Sequence, residues 1–191
     1  MKIRTRTITY SAILLALLIC LQWAGSQVAE PMTKQLLTGS FVNCVLAVAA
    51  LTVGLAGGIP LALISPVMAF LLGIAPNIVT VVPIMAGNAC FVLLIHWIAG
   101  KPAKSGWRQP IAVIAAAVAK FVVLYFLVVQ VICDMIAPNL MGKKVGAAVV
   151  LVPPMLKKLP AMFTWPQLIT ALAGGTIAMF IYPVLKQSNK R

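Results

Sequence analysis

Charge is what this chain has least of. Between Lys34 and Lys101 there is no Asp, Glu, Lys or Arg, and His96 is the one histidine. A soluble domain returns polar faces to water every few residues, so a stretch this long of Val, Leu, Ala, Ile and Gly excludes a water-soluble core. Acids are scarcer still, with Glu30 and Asp134 the only two among 191 residues. No carboxylate pair is therefore available inside the membrane for proton coupling or glycosyl chemistry. HExxH, GxSxG and P-loop motifs are absent, as is any Cys/His cluster, which disfavours a membrane enzyme, a metal site and a cofactor. Cys20, Cys44, Cys90 and Cys133 stand singly in apolar sequence with no CxxC pair and read as buried free thiols.

What is present is apolar. The chain is 62% hydrophobic and 9% charged, with mean hydropathy +1.07, and has room for about six spans of ~20 residues. Its net charge of +13 would suggest nucleic acid in a soluble protein. Here the cations bracket apolar runs, so lipid headgroups are the expected partner and nucleic acid is not. Lys2, Arg4 and Arg6 before the run from Ile8 to Leu21 resemble a signal peptide, with a weak small-residue site at Ala24, Gly25 and Ser26. Ile19 stands where a lipoprotein would need a small residue before Cys20, and further spans follow at once. The segment is read as a retained first helix.

The spans are expected near Ile8 to Gly25, Ser40 to Gly57, Pro60 to Gly73, Ile78 to Ala99, Pro110 to Cys133 and Phe163 to Leu185. Phe41 to Gly73 is 33 residues, too long for one span, and Gly54, Gly57, Gly58 and Pro60 mark a turn within it. With six spans and both termini cytoplasmic, nine cations lie inside (Lys2, Arg4, Arg6, Lys101, Lys104, Arg108, Lys186, Lys190, Arg191) and five outside (Lys34, Lys143, Lys144, Lys157, Lys158). Fusing the second and third spans gives seven against seven, so the positive-inside bias favours six. The fold class expected is one all-α membrane domain over residues 1–191, a six-helix bundle. Pro66 should kink or break the short third span. Two outer loops, 26–38 and 138–162, are candidate lids, the second carrying an apolar run from Val145 to Leu156 that is too short to cross and is interrupted by Pro153 and Pro154.

Lys120 lies mid-span, where a lysine costs roughly 2.5 to 3.5 kcal/mol on insertion scales, so it needs a partner or a water-filled cavity. Asn88 is at similar depth and could share that layer. Gln22, Asn43, Asn77, Tyr125 and Gln130 are expected toward the outer ends of their spans, serving as ligand contacts, interhelical hydrogen bonds or interfacial anchors. As a set they bring polar groups from several spans to one half of the bundle. Glu30 and Asp134 are expected at the outer surface, binding a cation or pairing with Lys34, Lys143 or Lys144. His96, beside Trp97, reads as an interfacial histidine. Ala12 and Ala16, four residues apart, leave a groove on one face of the first helix that suits a close helix neighbour, in the same bundle or another subunit. Ala171, Gly174, Gly175 and Ala178 would also permit close packing, which keeps a structural or assembly subunit open as an alternative function; an enzyme acting on lipid is a third.

Several stretches resemble the substrate-binding S components of energy-coupling factor (ECF) transporters: Arg6 through Leu17, Leu37 through Asn43, Ser65 through Pro76, Pro83 through Asn88, Ala119 through Tyr125 and Pro166 through Gly175. The match lies in their order, the length and the six-span layout. The resemblance implies a multi-pass protein of a bacterial or archaeal cell membrane, non-enzymatic, that binds a vitamin or related organic micronutrient from outside. It implies docking on a transmembrane coupling subunit driven by two ATPase subunits, which agrees with the missing P-loop. It places the ligand in the outer half, closed by the loops after helices one, three and five, and assigns docking to the Ala-x-x-x-Ala pattern at Ala12 and Ala16. Family substrates include flavins, thiamin, biotin, pantothenate, folates, cobalamin and metal ions; the histidine arrangement of the nickel and cobalt members is missing here, which disfavours a metal. An organic ligand with a carboxylate, phosphate or other electron-rich group fits the excess of cations.

Overall fold

The computed structural model describes residues 5–75, 77–100, 107–140, 144–145, 148–149 and 153–188. The chain runs through α1 (Thr5–Ser26), α2 (Pro31–Thr52), α3 (Leu55–Leu71), a 3₁₀ turn (Ile78–Thr80), α4 (Val81–Ala99) and α5 (Arg108–Leu124). α5 continues without interruption as a π-helical segment (Tyr125–Ile136) and a last α turn, α6 (Ala137–Leu140). A two-residue antiparallel ladder pairs Lys144–Val145 with Ala148–Val149. α7 (Pro153–Phe163) and α8 (Trp165–Ser188) complete it.

Among the described residues, five helices are long and apolar enough to cross a membrane, and α3 is a shorter apolar helix of 17 residues. Large apolar side chains on the outside bear this out. On α5, Ile111, Ile114, Val118 and Val122 are exposed, whereas Ala112, Val113, Ala116, Ala117, Lys120 and Leu124 are buried. The helical period thus puts Ile111, Ile114, Val118 and Val122 on the outer face and turns Lys120 inward.

α2 is the centre of the bundle. Every residue from Asn43 to Leu51 is buried, as expected of a helix apolar on all sides, and α2 packs on α1, α3, α4 and α8. It begins well before Ser40, the expected start. Glu30 caps it, its carboxylate accepting the N–H groups of Met32 and Thr33, and Pro31 occupies the first turn. The loop expected over 26–38 is therefore only Gln27 to Glu30. Hydrogen bonds from Thr33, then from the Met32 amide, hold the Glu30 carboxyl below the usual carboxylate range. Its capping contribution is complete at neutral pH and is lost as pH falls through that lowered value. Glu30 is thus a helix cap; of the partners expected for it, Lys143 and the Lys144 side chain lie outside the described residues.

The turn between α2 and α3 rests on Gly54, whose φ of 74° is open to glycine at little cost and whose N–H returns to the Ala49 carbonyl at 2.9 Å. Gly57, Gly58 and Pro60 lie inside α3, and the helix continues through Pro60 and Pro66. Pro153 and Pro154, expected to interrupt, open α7 instead, where a first-turn proline has no hydrogen bond to lose.

Small residues on α8 set the closest approach to α2 and α5. A Cβ at Gly174 would collide with backbone atoms of Ser40 and Cys44, and one at Gly175 with the Val113 side chain. Ala171 and Ala178 are fully buried in the same core. These residues join the chain's own helices, which removes the support they lent to an assembly subunit. Because backbone cannot yield as a side chain can, Gly174→Val should cost more than the roughly 1–3 kcal/mol of ordinary overpacking. Thermal unfolding in detergent should show a large loss of stability.

Candidate ligand cavity

One end of the bundle holds an open cavity of about 270 Å³. Its wall takes Gln22 from the end of α1, Lys34 and Gln35 from the start of α2, Ser65 and Ala69 from the end of α3, and Gln167 from the start of α8. Asn43, Asn88 and Lys120 border its inner part, and Met162 and Phe163 line it as well. Gln22 faces inward because it shares a stripe with Leu18 and Gly25, the buried residues of α1.

Lys120 is the organising group. The residue is 3% exposed, and its ammonium donates to Asn43 Oδ1 at 2.6 Å and Asn88 Oδ1 at 2.7 Å and lies 5.6 Å from the Phe91 ring centre. Behind this pair, Asn43 Nδ2 donates to Thr170 Oγ1 at 3.4 Å and Asn88 Nδ2 to Ser65 Oγ at 3.4 Å. Gln22 Nε2 reaches the Ser65 carbonyl at 3.5 Å. Gln22 Oε1 and Thr38 Oγ1 are buried without a hydrogen-bond partner. A buried polar atom left so costs about 1–3 kcal/mol, which a bound ligand can recover.

α7 reaches the cavity through Met162 and Phe163 at its end. Its apolar face puts Leu159 and Phe163 into the packing while Lys157 and Lys158 stay exposed. It is held at its end by the Met162 carbonyl, which accepts from Gln35 Nε2 and from Gln167 Nε2. The expected lid segment 138–162 includes residues 141–143, 146–147 and 150–152, which lie outside the described residues, as do Lys101 and Lys104.

Of the sequence-predicted residues, Gln22, Asn43, Asn88 and Lys120 meet at this cavity. Asn43 is mid-helix rather than at an outer end, because α2 starts early. Asn77 stands elsewhere, capping the 3₁₀ turn by accepting the Val79 N–H at 2.9 Å. Tyr125 and Gln130 sit exposed on the π-helical segment, as does Asp134. His96, in the last turn of α4, is within 3.4 Å of the Ala50 carbonyl. Ser65, Thr170, Gln35, Gln167 and Phe163 were not foreseen; a lone Ser or Thr in an apolar helix gives no sign of which face it takes. Ala12 and Ala16 are both exposed, so their groove points out of this bundle.

The family model for the ECF transporter substrate-specific component matches residues 6–186. The chain belongs to that family. No curated protein and no solved structure matches it significantly. As an S component it is a multi-pass membrane protein that binds a small molecule for an ECF complex rather than a catalyst.

Proposed function

We propose that this S component captures a vitamin-like organic micronutrient at the outer face of a bacterial or archaeal cell membrane and presents it to a coupling subunit driven by two ATPases. The observation that carries the reading is the cavity lined by the buried Lys120. No carboxylate lines it, and a buried cation without a counter-charge is costly unless something else supplies one. The ligand is that counter-charge, held by Lys120, Asn43, Asn88 and Gln22. α7, tethered at Met162, is the cover it passes.

Six crossings with both termini inside fit the order of the lining. The cavity meets the C-terminal ends of α1 and α3 and the N-terminal ends of α2, α4 and α8, which is how antiparallel neighbours alternate. Exposed Trp23 and Trp165 belong to the cavity end and exposed Trp97 and Trp107 to the other, as in two interfacial belts.

Proteoliposomes test the reading. The chain alone should bind its substrate without accumulating it, and accumulation should appear only with the coupling subunit, both ATPases and ATP. Accumulation by the chain alone would contradict it.

A further inference from the structure

The floor of the cavity is rich in donors. Lys120 has three N–H groups and no acceptor, so both asparagines must present carbonyl oxygen to it, and 2.6 and 2.7 Å suit charge-assisted bonds. That choice propagates. The Asn43 and Asn88 amides must then donate outward, to Thr170 and Ser65, and the Thr170 hydroxyl passes its own proton to the Gln167 carbonyl at 3.1 Å. The remaining capacity is the third Lys120 N–H, a second N–H on each asparagine and the Ser65 hydroxyl proton. Against these donors stands Gln22 Oε1, a buried acceptor with no partner, while the Thr38 hydroxyl, also buried and unpartnered in the lining, can donate or accept.

The charge on the floor is single. The other lining lysine, Lys34, is nine residues before Asn43 on α2, roughly 13 Å along the axis. A phosphate ester carries about −1.5 to −2 and would leave excess charge in a low-dielectric site. A neutral amide would set its own N–H groups against donors. The walls beyond mix apolar Val42, Ala69, Ile84 and Phe163 with polar Gln35, Thr38 and Gln167, and 270 Å³ is small beside the usual range of about 300–1,000 Å³.

Resting on the binding-subunit reading above, we infer that the substrate is a compact monocarboxylate, its carboxylate on Lys120 between Asn43 and Asn88, with an N–H or O–H near that end for Gln22 Oε1. Asn43→Asp isolates the point, because it neutralises the ammonium from within at nearly unchanged volume. Wild type and variant, purified, are incubated with yeast extract and washed, and released compounds are identified by high-resolution mass spectrometry. The wild type should enrich a compound with one carboxylate. Asn43→Asp should bind it about 100-fold more weakly while unfolding, without ligand, at the same temperature or higher. The primary amide of that compound should bind the variant at least as well as the acid does. A wild-type ligand that is phosphorylated, cationic or free of carboxylate would overturn the inference, as would undiminished binding by Asn43→Asp. Should the variant not fold, acid against amide on the wild type decides: equal affinities overturn it, and about 30-fold preference for the acid sustains it. If folded wild type enriches nothing, the binding-subunit reading fails and this inference with it.

Discussion

Lys120→Met should abolish substrate capture while leaving the ligand-free protein folded. Truncating one partner of a buried, hydrogen-bonded charge pair costs roughly 2–5 kcal/mol of binding, so affinity should fall on the order of 30-fold or more. Folding responds to two opposed terms. Methionine removes the roughly 2.5–3.5 kcal/mol penalty of a lysine at mid-membrane, but it leaves Asn43 Oδ1 and Asn88 Oδ1 without their donor, at about 1–3 kcal/mol each. These nearly cancel, so the unfolding temperature without ligand should change little. Equilibrium binding by the purified variant, beside its thermal unfolding curve, checks both. Unchanged affinity would remove Lys120 from the ligand site.

Ala12→Trp combined with Ala16→Trp should reduce ATP-driven uptake to background with substrate affinity unchanged within about twofold. Both alanines are exposed, and Ile13 and Leu17 beside them are also exposed. The stripe that holds α1 in the bundle, Leu18, Gln22 and Gly25, is a different face. Substitution on a face with no internal contact shifts stability by about 0.5 kcal/mol or less, whereas two indoles prevent the close helix approach that small residues permit. Co-purification with the coupling subunit should be lost along with uptake. Loss of substrate binding would place the groove inside the bundle's own packing, and full uptake would remove it from docking.

The membrane character of the chain was legible because it needs only length and composition: the charge-free stretch after Lys34 admits no other reading. Lys120 was legible for the same reason, since a lone mid-span cation demands acceptors, and Asn88 was within reach by depth. Asn43 was harder, because its depth depends on where α2 begins, and that is set by the Glu30 cap and Pro31 rather than by hydropathy. Pro153 and Pro154 misled in the same way: a proline reads as a break unless it is known to occupy a first turn. Tyr125 and Gln130 were placed by depth alone, and the long π-helical segment, which carries them outward, leaves no mark in hydrophobic periodicity. Ser65 and Thr170 were silent because their role is to accept from asparagines that only the tertiary fold brings near.

The most direct measurement of the central claim is native mass spectrometry of the chain released gently from its own membranes. One small-molecule adduct per chain is expected, displaced by unfolding and absent from Lys120→Met. A wild-type chain that flies only at its bare mass after saturation with yeast extract, or an adduct that Lys120→Met carries equally, would contradict a substrate held at this cavity.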